Sequence, residues 1–425
     1  MITIMKSASK ILSRRQILIE VITSVLTSDR ERSQDLYELK LYDEDLLKFK
    51  MEESGLEGLR TEIVSLNRRR KKYLPLDLKP TNEGLTNWLK RRVIPKNRAF
   101  VIEVLSSMGL NYDDTKGIID VCKVLSLNDS YWVVPSKFEG KFKDYNLYEN
   151  RFSEVLSLIA YTGAGRSREI FTTSPEFTTH GMLRKAWRYI EGDGIYLYKG
   201  GTEGFINSGL EPYSEYYASQ IASRMGLKHV HYDLEKWKNI LASKCELFTD
   251  INTAYVPIGY IVGNEGLQAC VNFYERISPE ALEDLKSMLV FDALIYNEDR
   301  HYGNFGVLVD SRTCKILGVA PIFDNGMSLF NYAMAEDIKN LRSYAKTRGN
   351  HYGISYDKIC REVMGSRQRQ ELKRMINFQF KRHEKYNLPE RRLRAIERQL
   401  QVRMQELLSL GRSELYSFET QLRQN

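Results

Sequence analysis

Long apolar runs are missing from this sequence, and no stretch approaches the ~20 residues that a membrane-spanning helix needs. Cysteine is scarce. Cys122, Cys245, Cys270, Cys314 and Cys360 lie far apart with no C-x-x-C pair, which argues against a structural zinc and for a reducing, cytoplasmic setting. The six histidines form no metal-like cluster. The nearest pair, His229-x-His231, sits at strand spacing and reads as structural. No G-x-S-x-G elbow is present, no G-x-G-x-x-G loop, no internal repeat and no low-complexity tract. At the N-terminus, Arg14, Arg15 and Glu20 interrupt the apolar stretch, so a signal peptide's clean apolar core is lacking and an amphipathic helix is expected.

What is present is ordinary for a globular chain of two or three domains: 425 residues, 42% hydrophobic and 28% charged. The net charge of +8 admits an acidic partner such as ATP, nucleic acid or an acidic protein face, without requiring one. Residues 1–75 read as charged and helical, with the basic run 68–72 suiting a solvated helix end or, as the alternative, a nucleic-acid contact. Two helices are expected over 97–108 and 112–124, and a turn then a strand over 127–135, with Trp132 in the core. Residues 136–150 read as a loop. Asp193-Gly194 between alternating apolar runs predicts a hairpin over 182–201. Pro212 opens a helix that Gly226 stops, and two more strands follow over 229–234 and 237–248. Ser278-Pro279 opens a further helix with Leu282, Leu285, Met288, Leu289 and Ala293 at core spacing. Residues 331–353 read as mobile. The last long helix is opened by Asn387-Leu388-Pro389-Glu390. Its apolar stripe is Leu393, Ile396, Leu400, Met404 and Leu407, and its basic side is Arg391, Arg392, Arg394, Arg398 and Arg403.

The chemistry concentrates in 297–330. Asp299 stands five residues before Asn304, the interval at which phosphoryl-transfer sites place an Asp that orients the acceptor hydroxyl and an Asn that holds Mg²⁺. A hairpin over 305–320 then returns the chain to Phe323-Asp324-Asn325-Gly326, so Asp324 can come beside Asn304, and two oxygen ligands suit Mg²⁺. Upstream, Lys199 ends a strand where it can hold phosphates, and Glu215 on the next helix can hold the lysine, with Glu211 as its rival. Thr178 and Thr179 are candidates to cradle phosphate, although such hydroxyls equally satisfy turn backbone groups. Glu246 and Phe248 lie on the segment expected to read adenine.

With those residues assembled, the chain resembles the HipA-like serine/threonine kinases, relatives of the phosphoinositide 3/4-kinase fold, over about 171–329. The motifs are Tyr196-Leu197-Tyr198-Lys199-Gly200-Gly201, Glu215-Tyr216-Tyr217-Ala218, Cys245-Glu246-Leu247-Phe248, Asn297-x-Asp299-x-His301-x-x-Asn304-Phe305 and Phe323-Asp324. The resemblance implies an α+β, two-lobed protein-kinase-like fold of the HipA type behind a helical N-terminal region. The expected divisions are 1–75, a small helical or mixed subdomain at 76–150, a small lobe at 151–262 and a mostly helical large lobe at 263–425. It implies Asp299 as base, Asn304 and Asp324 as Mg²⁺ ligands, and Lys199 on the ATP phosphates. It also implies a protein substrate with a Ser or Thr hydroxyl, which admits the loop 171–180 of the chain itself. A regulatory partner protein stays open, as do a phosphoinositide-type lipid kinase and a non-catalytic nucleotide- or nucleic-acid-binding module. Departures are the glycine-poor loop and Asp-Asn-Gly in place of Asp-Phe-Gly.

Overall fold

A computed structural model describes residues 36–55, 58–165, 174–204, 207–263 and 265–411. The expected N-terminal amphipathic helix, and Thr172 and Thr173 of the loop 171–180, lie outside them. The chain divides into two compact units. The first runs to Ser126 and resumes over Ser130–Gly181; the second takes Leu127–Asp129 and everything from Met182.

Within 36–75 the first unit corrects the helical expectation. Its described part is a meander of β1 (Leu36–Leu41), β2 (Glu44–Ser54) and β3 (Gly58–Leu66), and β4 (Tyr131–Pro135) completes an antiparallel sheet of order β3-β2-β1-β4. The charges that suggested a helix alternate with apolar residues instead. Leu47, Phe49 and Met51 are buried between Lys48, Lys50 and Glu52, the period of two that builds a strand with one wet face. The outer edge of β3 is covered by the helix Asn82–Lys90, which the sequence reading missed although Thr81 caps it. Ile63 donates its N–H to Asn82 Oδ1 (2.8 Å) and Thr61 donates its N–H to Thr86 Oγ1 (3.1 Å). The basic run is a short 3₁₀ turn, Arg68–Tyr73, at the end of β3. Trp132 is core, as expected, and packs on Phe138, Phe142 and Tyr145. The expected helices shorten to Val101–Ser106 and Thr115–Cys122, and the loop 136–150 contains one turn of helix, Phe142–Tyr145.

The second unit opens with the expected hairpin, β5 (Lys185–Ile190) and β6 (Gly194–Gly200), with Lys185 directly opposite Lys199. The helix Glu211–Met225 follows and ends at Gly226, whose positive φ of 79° closes it in the left-handed region. β7 (Tyr232–Trp237) and β8 (Ile240–Glu246) complete a sheet of order β5-β6-β8-β7. The turn between them is Lys238-Asn239, both with positive φ, so Trp237 belongs to the first of these strands and not the second. β9 (Thr253–Pro257), unpredicted, pairs with β10 (Gly306–Asp310), which pairs in turn with β11 (Ile316–Val319). The helices Gly266–Ile277 and Pro279–Ile295 fill the centre, the second capped by Ser278 Oγ accepting the Ala281 N–H (3.0 Å).

Residues 331–353, read as mobile, contain two short helices, Ala335–Lys339 and Leu341–Ala345. Buried Ile338, Leu341 and Ala345 recur at helical spacing and anchor them. In the last helix, Glu390–Ser409, the apolar stripe is buried as expected, but Arg403 is not on a basic outer side. It is buried, donates from Nε to the Ala293 carbonyl (3.1 Å) and pairs with Asp357 (2.8 Å).

Candidate active site

β6 alternates its side chains so that Lys199 faces the sheet's covered side, and there the Lys199 ammonium meets two carboxylates. Its Nζ donates to Glu215 Oε1 (3.0 Å) and pairs with Asp324. Glu215 is fully buried, one turn into its helix, and its Oε2 accepts the Asn325 N–H (2.7 Å). The rivalry with Glu211 is settled geometrically: Glu211 bonds Thr202 and Tyr332 instead. Burial would lower the Lys199 ammonium, but Asp324 and Glu215 overcome burial and hold it well above the usual lysine range. Burial likewise pushes Asp324 upward, and Lys199, with Lys185 next to it, reverses this and holds the carboxyl well below the usual range. Burial raises Glu215, with Lys199 opposing. Lys185 was missed by the sequence reading. Only strand register, which places it opposite Lys199, reveals it.

The helix Pro279–Ile295 ends because Tyr296 turns left-handed (φ 53°), and this hands the chain to the loop bearing Asp299. Asn297 is the loop's brace. Its Nδ2 donates to Asp292 Oδ1 (3.0 Å) and its Oδ1 accepts the Asp299 N–H (3.2 Å). The Asp299 carbonyl accepts from His301 N–H (2.8 Å) and from Asn304 Nδ2 (3.1 Å). That bond fixes the Asn304 amide with Nδ2 engaged and Oδ1 as its acceptor end. Burial raises the Asp299 carboxyl, His301 opposes this and Asp324 adds to it.

Arg300 joins the loop to the segment holding Asp324. It is fully buried, and all five of its N–H groups are used. Nε and Nη2 donate to the two Asp292 oxygens (3.0 Å each), Nη2 also to Asn325 Oδ1, and Nη1 to the carbonyls of Asn304 (3.1 Å) and Phe323. One guanidinium therefore holds Asn304 and the two residues that flank Asp324. This also explains Asn325 where Asp-Phe-Gly would place Phe: the position is a buried polar junction, bonded to Arg300 and Glu215. The aromatic residue has moved to the other side of the aspartate. Phe323 packs on Phe248 (5.4 Å between ring centroids) and Tyr255 (5.5 Å). Asp324 itself has φ 55°, a left-handed conformation uncommon outside Gly, Asn and Asp, and donates its N–H to Tyr232 OH (3.1 Å).

Of the sequence-predicted residues, Lys199, Glu215 and Asp324 are bonded together, and Arg300 ties Asn304 to the chain on both sides of Asp324. Asp299 is bonded to Asn304. Phe248 belongs to the aromatic group under Phe323, whereas the Glu246 side chain is exposed at the end of β8. Thr178 and Thr179 fall in the first unit. Thr178 Oγ1 donates to the Leu125 carbonyl (3.0 Å) and Thr179 Oγ1 to the Pro175 carbonyl (2.7 Å), so both hydroxyls serve backbone groups. Asn304 and Asp324 offer one amide and one carboxylate oxygen. That is a hard, sparse donor set which fits Mg²⁺ completed by phosphate and water rather than an all-protein cage. Among the described residues no group of three His, Cys, Asp or Glu side chains could hold a metal ion.

No family model matches the chain. It is 33% identical over 141 residues to the serine/threonine-protein kinase CtkA of Helicobacter pylori, which is 30% of this chain and 42% of that protein, so it spans under half of the relative's length. Among solved structures, it resembles HipA from the Shewanella oneidensis MR-1 toxin–antitoxin complex of HipA, HipB and operator DNA. The TM-score is 0.53 at 12% identity, over 89% of this chain and 100% of that one, a likeness of fold. The crystal structure of the Helicobacter pylori proinflammatory kinase CtkA aligns at a TM-score of 0.42 and 20% identity, over 53% of this chain and 92% of that chain. The fold is the α+β, kinase-like fold of the HipA type, and the relatives support the HipA-like kinase resemblance.

Proposed function

We propose, on a fold shared with HipA and a stretch of sequence shared with CtkA, that this chain is an ATP- and Mg²⁺-dependent serine/threonine protein kinase. The observation that carries this reading is the Arg300 junction, which unites the Asp299–Asn304 loop with the Lys199–Glu215–Asp324 group. Asp299 accepts the proton of a Ser or Thr hydroxyl as that oxygen bonds to the γ-phosphorus of ATP and the bond from phosphorus to the bridging oxygen breaks, releasing ADP. Lys199, helped by Lys185, holds phosphate oxygens, and Glu215 positions Lys199. Asn304 Oδ1 and the Asp324 carboxylate would hold the metal. Mg²⁺, when bound, supplies charge neutralisation between the phosphates. Phe248 offers an apolar face to the base of the nucleotide, and the backbone at Glu246 its polar edge.

The test is direct. Pure protein is incubated with labelled ATP, Mg²⁺ and a Ser/Thr-rich acceptor protein, and in parallel with phosphoinositide vesicles. Label in the acceptor or in the chain itself is expected. Label confined to lipid would transfer the reading to a lipid kinase, and absence of label from every acceptor would overturn it.

Three variants refine the roles. Lys199→Met removes a charged contact to phosphate worth ~1.5–3 kcal/mol, so kcat/KM for ATP should fall about 10- to 100-fold. Glu215→Ala should act in the same direction but less, since it acts through Lys199. Steady-state kinetics showing a normal Glu215→Ala enzyme would remove it from the site. Asp324→Asn keeps the shape but loses the metal-binding charge. It should raise the Mg²⁺ concentration at half-maximal activity by about tenfold or more, and an unchanged Mg²⁺ titration would remove Asp324 from the metal set.

A further inference from the structure

The helix that carries Glu215 presents more than one carboxylate. Glu211, Ser214 and Glu215 are spaced i, i+3, i+4, so they share one side of the helix, and all three are buried. Each is bonded to the stretch that follows Asp324. Glu215 Oε2 accepts the Asn325 N–H (2.7 Å), Ser214 Oγ donates to the Ser328 carbonyl (2.9 Å), and Tyr332 donates its hydroxyl to Glu211 Oε1 (2.9 Å). The outermost rung also gathers the connection between β6 and the helix. Thr202 donates its N–H to Glu211 Oε2 (3.2 Å) and its hydroxyl to Oε1 (2.8 Å), and Asn207 Nδ2 donates to the Tyr332 carbonyl (2.7 Å).

Two glycines permit this closeness. A Cβ on Gly201 would lie 2.5 Å from Gly209 Cα and 2.7 Å from Glu211 Oε2, and one on Gly326 would lie 3.3 Å from Glu211 Cβ and 3.4 Å from Glu215 Oε1. Burial, with the Glu211 carboxylate adding to it, pushes the Tyr332 phenol up to about 12, so it is a neutral hydrogen-bond donor at ordinary pH. Beyond Tyr332 the chain borders the Asp299 loop. Arg348 Nη1 pairs with Glu298 (3.2 Å), and Tyr356 OH donates to the Asn297 carbonyl (2.7 Å). The stretch that grips the helix thus continues into the segment bonded to the Asp299 loop.

Given the kinase reading above, on which this rests, we infer that the three-rung polar seam between the Glu211–Met225 helix and residues 325–332 sets nucleotide affinity, with Glu211, Ser214 and Tyr332 as positioning residues. While the rungs are made, Glu215 stays on Lys199.

The test measures Mg-ATP affinity directly, by calorimetry or displacement of a fluorescent nucleotide, alongside melting temperature and turnover. Tyr332→Phe removes one hydroxyl and little volume, and Glu211→Gln removes the charge. A hydrogen bond to a charged group is worth enough that each variant should weaken Mg-ATP binding about tenfold. The double variant should be little worse than either single one, because both break the same rung. A merely structural role would lower the melting temperature and the active fraction while leaving the Kd of the folded fraction unchanged. If wild type transfers phosphate but both variants bind Mg-ATP with the wild-type Kd, the seam has no such role and the kinase reading stands. If wild type binds no Mg-ATP, the seam and the kinase reading fall together.

Discussion

Asp299→Asn is expected to abolish most phosphoryl transfer, by about 10²- to 10⁴-fold, while Mg-ATP binds with near wild-type affinity. The substitution is nearly isosteric and keeps the backbone bonds of the loop: the N–H to Asn297 and the carbonyl that accepts from His301 and Asn304. What disappears is the oxygen that can take a proton. The proposed metal ligands Asn304 and Asp324 and the Arg300 junction remain, so nucleotide binding should survive the loss of chemistry. Single-turnover transfer to an acceptor, paired with a binding isotherm, checks both halves. A variant that turns over at the wild-type rate would remove Asp299 from the base role, and one that also loses nucleotide would make it part of the binding site instead.

The second large effect is on stability. Arg300→Met should destabilise the protein by about 3–5 kcal/mol, because it leaves the buried Asp292 carboxylate without its cation. The side chain is 0% exposed and joins four other residues, so water cannot replace it without opening the core. Arg300→Lys restores the charge but not the planar fork, and should recover only part of the loss. Equilibrium denaturation reads the difference. The double variant Arg300→Met, Asp292→Leu should be more stable than Arg300→Met alone, since it removes the stranded charge as well. A single variant within 1 kcal/mol of wild type would mean the guanidinium is dispensable.

Much of the second unit was legible in the sequence because its signals are local. The Asp193-Gly194 turn, the Pro212 start, the Gly226 stop and the Ser278-Pro279 cap act within a few residues, and each appears where expected. Lys199, Glu215 and Asp324 could be named because their order along the chain is constrained, though 125 residues separate Lys199 from Asp324. Lys185 and Glu211 were missed, or left as rivals, because their roles depend on register and on which way a carboxylate turns. Residues 36–66 misled for a different reason. Strands with one wet face are as charged as exposed helices, and the period of two was masked where Leu46 and Leu47 are both buried beside a register shift in the β2–β3 pairing. Asn325 could not have been read at all, since a buried amide and a turn amide look alike in a sequence.

The covered edge of β3 bears on how the chain behaves while it is being made. A free strand edge is a template for any other extended chain, including another copy of itself. Here the covering amide and hydroxyl, Asn82 and Thr86, follow the strand by about twenty residues. During synthesis the template is complete before its cover exists. Until the helix Asn82–Lys90 has emerged, the nascent meander presents an open border to its neighbours on the polysome. After that, growth of the sheet in that direction is closed by two side chains rather than by a further strand.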